Sequence, residues 1–380
     1  MSGLGVAVPL RAWQRRLSQI KALGANAVRT SHNPVAPEVL DLMDRMGLLV
    51  MDEFFDVWQD AKEPYDLSRA FDAWGEADLT DTVKRDRNHP SIIIYSIGNE
   101  IRDSLETRLP IARRLMDICH TLDPTRPVTQ GLFRPQINGD YPGNMLDVLD
   151  VFGVNYRIDE LIEANKYEPR RPIIATEMPS NDNGTKWAKV RDTAAVAGYF
   201  IWTGADYLGE AETWSDDPWP YITYPFGLLD RMGNLTAAGE RHRDFWTSEA
   251  DSSQLTDATA SAVPAPASSV VLSSDKSKIV TDWNDLAYVR ADITDGSGNI
   301  NTTASDLITF AIEGPGTIVA VDSASLYAEA FRSNSRTAYQ GSCYAIVRAT
   351  GAGEITVTGS ALGLAPTQVH IIGREGRFKP

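Results

Sequence analysis

Short, continuously apolar runs recur through the first two thirds of this chain, alternating mostly with segments patterned for helices. The runs fall at residues 26–31, 48–52, 91–97, 126–129, 149–154, 172–176 and 198–202, about seven strands in all. Ahead of the first run, Leu10, Trp13, Leu17, Ile20 and Leu23 recur at spacings of three and four, a helical stripe that Gly24 ends. Pro37 opens a second helix and Gly47 closes it. Further helices are expected around 73–87 and 111–122. Strands that are apolar throughout, rather than in alternation, are buried on both faces. That pattern implies a parallel sheet covered by helices.

A closed barrel of this kind needs eight strands, and an open doubly wound sheet normally carries a Gly-rich phosphate loop after its first strand. No such loop is visible. The expectation is therefore a (β/α)8 TIM barrel lacking its first strand, which would lie upstream of Met1. After Trp246 the composition changes. Residues 248–269 are rich in Ser, Ala, Thr, Asp and Pro, as linkers are. Residues 270–373 then alternate apolar and polar side chains in short runs broken by turns such as Asp295-Gly296-Ser297-Gly298-Asn299, the pattern of an Ig-like β-sandwich. The expected domains are 1–247, a barrel truncated at its N-terminus, 248–269, a linker, and 270–373, a sandwich.

Composition narrows the partners. The net charge of −15 argues against nucleic acid. No apolar run approaches the ~18 residues of a membrane span. Cys119 and Cys343 read as buried free thiols in different domains. Met1-Ser2-Gly3 leads straight into the chain with no visible signal peptide, so localisation is left open, as is an oligomeric state.

Two of the strands end abruptly in a glutamate: Ser96-Ile97-Gly98-Asn99-Glu100 and Pro172-Ile173-Ile174-Ala175-Thr176-Glu177. Each places a carboxylate at the rim of the sheet. Two carboxylates facing one cavity are the minimum equipment for cleaving a glycosidic bond, provided one is protonated and the other ionised. Glu100, buried beside a second carboxylate, suits the general acid. Glu177, as nucleophile, requires cationic or hydrogen-bonding support, and Arg29 and Tyr156, both at strand ends, are candidates for it. The alternative for that pair is a structural role at the rim. His32 and Asn33 follow Arg29 in a loop, where His32 either contacts sugar hydroxyls or caps the next helix. Trp202 ends the last strand and, with Trp58, Trp214 and Trp219, gives the expected mouth an aromatic lining, although any one of these rings could equally be core. Asp52, Glu53 and Asp56 lie close together, but no histidine joins them. Hydrogen bonding at the rim is the expected role, with no metal and no cofactor motif.

Several of these segments resemble glycoside hydrolase family 2, the family of bacterial β-galactosidases, β-glucuronidases and β-mannosidases. They are Arg29-Thr30-Ser31-His32-Asn33-Pro34, the run Met51-Asp52-Glu53-Phe54-Phe55-Asp56-Val57-Trp58, and Arg85-Asp86-Arg87-Asn88-His89-Pro90-Ser91 leading into Asn99-Glu100. The resemblance implies Glu100 as acid/base, Glu177 as nucleophile, Asn99 on the sugar 2-hydroxyl, Arg29 and Tyr156 behind the nucleophile, and His32 and Trp202 on the sugar. It implies retention, with the carboxylates ~5–5.5 Å apart. The segment from Gly198 to Glu210 and the tail around Glu313-Gly314-Pro315-Gly316 look β-galactosidase-like. The magnesium ligands of the best-known β-galactosidases have no match in residues 54–59, and the Asn-x-Lys element of glucuronidases is not evident. The family usually begins with a jelly roll and an Ig-like domain, so N-terminal domains of the same protein are expected to contribute to activity. The implied partner is a carbohydrate, with neither nucleic acid nor membrane. Other readings kept open are a non-catalytic carbohydrate-binding remnant and another retaining barrel glycosidase, such as a β-glucuronidase, β-mannosidase or endo-glycanase.

Overall fold

The structure is a computed structural model that describes residues 2–217, 219–247 and 265–380. The chain divides into two compact units. One holds Ile20–Gly204 and Ala237–Leu255, the other Met1–Gln19, Ala205–Thr236 and Thr256–Pro380. The division differs from the expected domains, because the first 19 residues and 205–236 group with the C-terminal strands. Most of the expected linker, residues 248–264, lies outside the described residues. Its last three residues already belong to a strand that starts at Ala267.

The first unit is built on seven parallel strands in sequential order. They are β1 (Ala27–Arg29), β2 (Leu49–Glu53), β3 (Ile92–Asn99), β4 (Val128–Leu132), β5 (Phe152–Asn155), β6 (Ile173–Pro179) and β7 (Val196–Trp202). Strands β2 to β6 are mostly buried, whereas β1 and β7, the two edges, are only half-buried. The sheet curls so that these edges approach one another, a nearly closed barrel of TIM type. Helices alternate with the strands, including α2 (Pro37–Met46), α3 (Ser68–Asp86) and α4 (Leu105–Leu122), which follow α1 (Leu10–Ala22). The α2 helix stops at Gly47, whose φ of 66° is the left-handed cap that the sequence pattern required. Sequence reading began α4 at 111, after Pro110. The helix in fact runs through that proline from a Ser104 cap.

The barrel interior explains where the chemistry lies. Met51, Ile94, Val151 and Ile174 form one buried apolar cluster with Phe200 packed against it. Side chains alternate along a strand, so Glu53 and Ser96, each two residues beyond a member of that plug, share its inward face. Because the strands are parallel, all their C-terminal ends reach the same rim, the face on which barrels of this type carry their sites.

In the second unit a four-stranded sheet and a five-stranded sheet are present. Their orders are β12-β14-β10-β8 and β13-β11-β15-β16-β9, with β8 at Ala267–Ser274, β9 at Lys278–Val280, β10 at Ala287–Asp295, β11 at Leu307–Glu313, β12 at Gly316–Asp322, β13 at Ser335–Thr337, β14 at Ser342–Ala349, β15 at Gly353–Ser360 and β16 at Thr367–Arg374. Val289, Ala291 and Ile293 alternate inward on β10 and meet Phe310, Val347, Val357 and Ile371 in one core. This is a sandwich, as the alternation predicted. Cys119 and Cys343 are free, buried and in different units. No described helix is long and apolar enough to cross a membrane.

Candidate active site

Arg29, at the end of β1, is the hub of the rim. Its guanidinium donates to both carboxylate oxygens of Glu53, at 2.7 and 3.0 Å from Nη2. It also reaches Glu177 Oε1 at 2.7 Å and Asn99 Oδ1 at 3.0 Å. Its side chain is 4 % exposed. Close, charge-assisted contacts in so dry a place are strong. Arg29 is held well above the ordinary arginine range, because the charges of Glu53 and Glu177 and their hydrogen bonds outweigh the cost of its burial.

Glu53 was read as a rim hydrogen-bonder without a histidine, and this needs correcting. It is fully buried, and besides Arg29 it takes Ser96 Oγ at 2.6 Å and His32 Nδ1 at 2.6 Å. Burial alone would raise its pKa, but Arg29 and His32 reverse the sign, so Glu53 is held below the usual carboxylate range and ionised. An ionised Glu53 can only accept, so His32 Nδ1 is the donor of that bond, and Nε2 faces the cavity. That Nε2 lies 3.7 Å from Glu177 Oε1 and 3.3 Å from Asn99 Nδ2. The imidazole also stacks on Trp202, with centroids 5.1 Å apart and planes within 5°.

Glu177 therefore meets Arg29 directly and His32 at longer range, and it accepts a hydrogen bond from the Tyr156 hydroxyl. Burial, the Glu177 charge and that hydrogen bond together push the Tyr156 phenol far up, so it remains a donor. The Tyr156 amide N–H anchors to the Glu177 carbonyl at 2.6 Å.

Glu100 occupies a different environment. Its side chain accepts from Asn155 Nδ2 at 3.0 Å. Burial and the nearby Glu177 charge raise its pKa, against Asn155, Lys62 and His32, which lower it. Two carboxyl groups thus share one site in different settings, one backed by cation and phenol and the other biased toward its protonated form. Glu100 and Tyr156 both have left-handed backbones, with φ of 42° and 60°. Non-glycine residues held there cost roughly 1–3 kcal/mol each, a strain typical of functional positions. The Glu100 amide N–H donates to the Gly131 carbonyl at 2.7 Å.

Gly131 leaves space for the polar knot. A Cβ there would lie 2.9 Å from Asn155 Oδ1, 3.0 Å from Arg29 Nη2 and 3.2 Å from Asn99 Oδ1. Asn99 and Asn155 are bonded to each other at 3.0 Å, so Glu100, Asn155, Asn99, Arg29 and Glu177 form one connected chain of contacts.

Of the expected site residues, Glu100, Glu177, Asn99, His32, Arg29, Tyr156 and Trp202 gather at this rim. Asn33 does not join them: it is exposed in its loop, with only a 3.4 Å contact to the Pro34 carbonyl. Trp58 is not part of an aromatic lining. It is fully buried, donates from Nε1 to the Ile97 carbonyl at 3.0 Å, and packs under Gly98. Trp214 and Trp219 belong to the other unit and are exposed. Asn155 and Lys62 were missed by sequence reading. Asn155 had a usable signal, since it is a polar residue closing an apolar strand, as Glu100 and Glu177 nearly do.

One group of metal-type side chains converges among the described residues: Asp41, Asp44 and His89. Both Asp44 oxygens are already engaged, one by the Ser91 N–H at 2.9 Å and the other by His89 Nδ1 at 2.7 Å, so the group is a clip between α2 and the start of β3.

Comparison with known proteins agrees with this architecture. Residues 3–203 match the model of the glycosyl hydrolases family 2 TIM barrel domain, and residues 270–370 match glycoside hydrolase family 2 C-terminal domain 5. The chain belongs to glycoside hydrolase family 2. A solved structure of a family 2 member from Bacteroides cellulosilyticus superposes with a TM-score of 0.89 at 28% identity, covering 98% of this chain and 61% of that one. A Bacteroides ovatus protein named beta-galactosidase is 28% identical over 98% of this chain and 60% of its own length. A Formosa agariphila protein named putative beta-glucuronidase is 32% identical over 59% of this chain and 26% of its own length. The chain thus spans about 60% of the relatives that match nearly all of it.

Proposed function

We propose that this chain carries the catalytic site of a retaining β-glycosidase that hydrolyses terminal β-D-galactosides. The observation that carries the reading is the opposed setting of the two carboxyl groups. Glu177 is backed by Arg29 at 2.7 Å and by the Tyr156 hydroxyl, while Glu100 beside it is driven toward its protonated form. In the first step a Glu177 oxygen bonds to the anomeric carbon, the glycosidic C–O bond breaks, and the Glu100 proton passes to the departing oxygen. In the second, Glu100 takes a proton from water, the water oxygen bonds to the anomeric carbon, and the ester to Glu177 breaks, leaving both carboxyl groups as they began. His32 Nε2 and the Trp202 ring offer a hydrogen-bonding group and a flat apolar face to the sugar.

A neutral sugar is favoured over a uronate by the state of the nearby cations. Arg29 is taken up by Glu53 and Glu177, and Lys62 by Asp56 at 2.6 Å, so neither has a charge to spare for a substrate carboxylate. The relative named beta-galactosidase, matched along nearly the whole chain, supports the same choice. A panel of aryl β-glycosides tests it. Galactoside turnover above glucuronide and mannoside, with a β-configured first product by NMR, is expected. Glucuronide preference, or an α-configured product, overturns the substrate or the retention. Binding of galactosides without turnover would instead favour a carbohydrate-binding role.

A further inference from the structure

Lys62 lies in the loop between β2 and α3, 37 positions before Asn99, in a segment with no regular structure to announce it. The loop is nonetheless pinned on both sides of it. Asp103 accepts from the amides of Gln59 and Asp60, at 3.3 and 3.2 Å. Asp66 accepts from the amides of Lys62 and Glu63, at 2.7 and 3.0 Å, and from Ser68 N and Oγ, at 3.0 and 2.6 Å. Arg102 Nη1 donates to the Lys62 carbonyl at 3.2 Å. The backbone is thus fixed, and the Lys62 side chain, 13 % exposed, turns back to the end of β3.

There its ammonium makes two contacts: Asp56 Oδ1 at 2.6 Å and the backbone carbonyl of Asn99 at 2.9 Å. The same Asp56 oxygen accepts from Asn99 Nδ2 at 3.1 Å. Lys62, Asp56 and Asn99 therefore close a three-membered clasp around one residue. The clasped carbonyl belongs to the peptide that leads into Glu100, whose φ is 42°. Turning that peptide would move the Glu100 carboxyl with it.

Resting on the glycosidase reading above, we infer that Lys62 is a positioning residue for the acid/base group: by holding the Asn99 carbonyl it fixes the peptide that aims Glu100, and it brings a cation to the loop after β2 beside that peptide. The groups that face Glu100 are Glu177 from β6, Asn155 and Tyr156 from the end of β5, His32 from the loop after β1, and Lys62. Among them Lys62 and His32 favour the ionised carboxylate, and Glu177 opposes it. Removing Lys62 thus leaves the Glu177 repulsion less balanced and raises the Glu100 pKa.

The test uses Lys62→Met and Lys62→Arg in the full chain. Loss of aim on a general acid costs most where the leaving group needs its proton. Lys62→Met is expected to lower kcat/KM about ten- to a hundredfold on an alkyl or unsubstituted phenyl galactoside. On a dinitrophenyl galactoside, whose leaving group departs unprotonated, the loss is expected to stay under about threefold. The alkaline limb of the kcat/KM profile should move to higher pH, and Lys62→Arg should restore most of both. Equal losses on the two substrates, or an unmoved limb, would overturn the inference. Carbon NMR titration of the Glu100 carboxyl, assigned with Glu100→Gln, gives a readout that does not depend on turnover: an upward shift in Lys62→Met supports the role, and no shift overturns it. Lack of turnover by the unaltered chain on every glycoside would overturn the glycosidase reading instead, while the titration still decides the role of Lys62.

Discussion

Both units bury arginine against carboxylate, and the two arrangements have different consequences. In the barrel, each polar partner of Arg29 other than a backbone carbonyl is itself a site residue: Glu53, Glu177 and Asn99. In the sandwich, Arg336 is fully buried and bonds Asp322 at 3.3 Å, Ser323 Oγ at 3.1 Å and the Glu329 carbonyl at 3.0 Å, while Arg231 reaches the same Asp322 at 3.2 Å. That second cluster ties β12 to β13 and a neighbouring loop, and its arginines donate to structural partners: Asp322, Ser323 and the Glu329 and Ser325 carbonyls. Burial of an ion pair therefore does not mark function. What distinguishes the rim is that its ionised groups sit at the ends of several different strands and converge on a carboxyl driven the opposite way.

Substituting the two arginines should separate these roles. Arg29→Met removes support from the nucleophile and strands Glu53, so turnover should fall by about 10²–10³-fold or more, and denaturant melts should show a loss of roughly 3–5 kcal/mol. Arg336→Met should show a comparable stability loss of roughly 3–5 kcal/mol with kcat per folded molecule unchanged. Were Arg336→Met to cut kcat as deeply as Arg29→Met, the contrast would fail.

A finer version lies within the rim. Asn155→Ala removes the hydrogen bond that favours the Glu100 carboxylate, so the alkaline limb of the pH–rate profile should move up and kcat should fall by about tenfold. A profile that kept its limb would show that Asn155 serves packing alone.

The smallest expected effect concerns stability alone. Asp52 is fully buried on the outer face of β2, and burial, with Asp86 nearby, raises its pKa to about 7. Its folded-state value lies above its unfolded one, so its contribution to stability is complete below the unfolded pKa of ~3.9 and declines as pH rises to about 7. Asp52→Asn should flatten the melting temperature over that window and leave the rate profile in place. Glu53, lowered instead, gives the opposite sign: its contribution is present above the ordinary glutamate pKa and is lost as pH falls through the folded value.

Much of this was legible in the sequence because parallel strands deliver their last residues to one rim. A polar or charged residue closing an apolar run is then informative, and Arg29, Glu100, Tyr156 and Glu177 were found that way. The sandwich was legible from its period of two. What escaped was what strand ends do not report. Glu53 closes its strand, but its bond to His32 is made across 21 residues, and sequence spacing alone did not connect them. Lys62 acts from an irregular loop held by side chain to backbone bonds, which leave no periodic trace. Trp58 was misplaced because an aromatic in a loop gives no sign of its depth; the missing side chain at Gly98 is what lets it pack inward.

The central claim is the division of labour between Glu177 and Glu100. A deoxyfluoro galactoside with a good leaving group slows release of the glycosyl-enzyme, and mass spectrometry of the digested protein then locates the attached sugar. The account predicts a single modification on the peptide carrying Glu177, absent in Glu177→Gln. A sugar found on Glu100 or Glu53, or turnover that proceeds without any trapped ester, would contradict it.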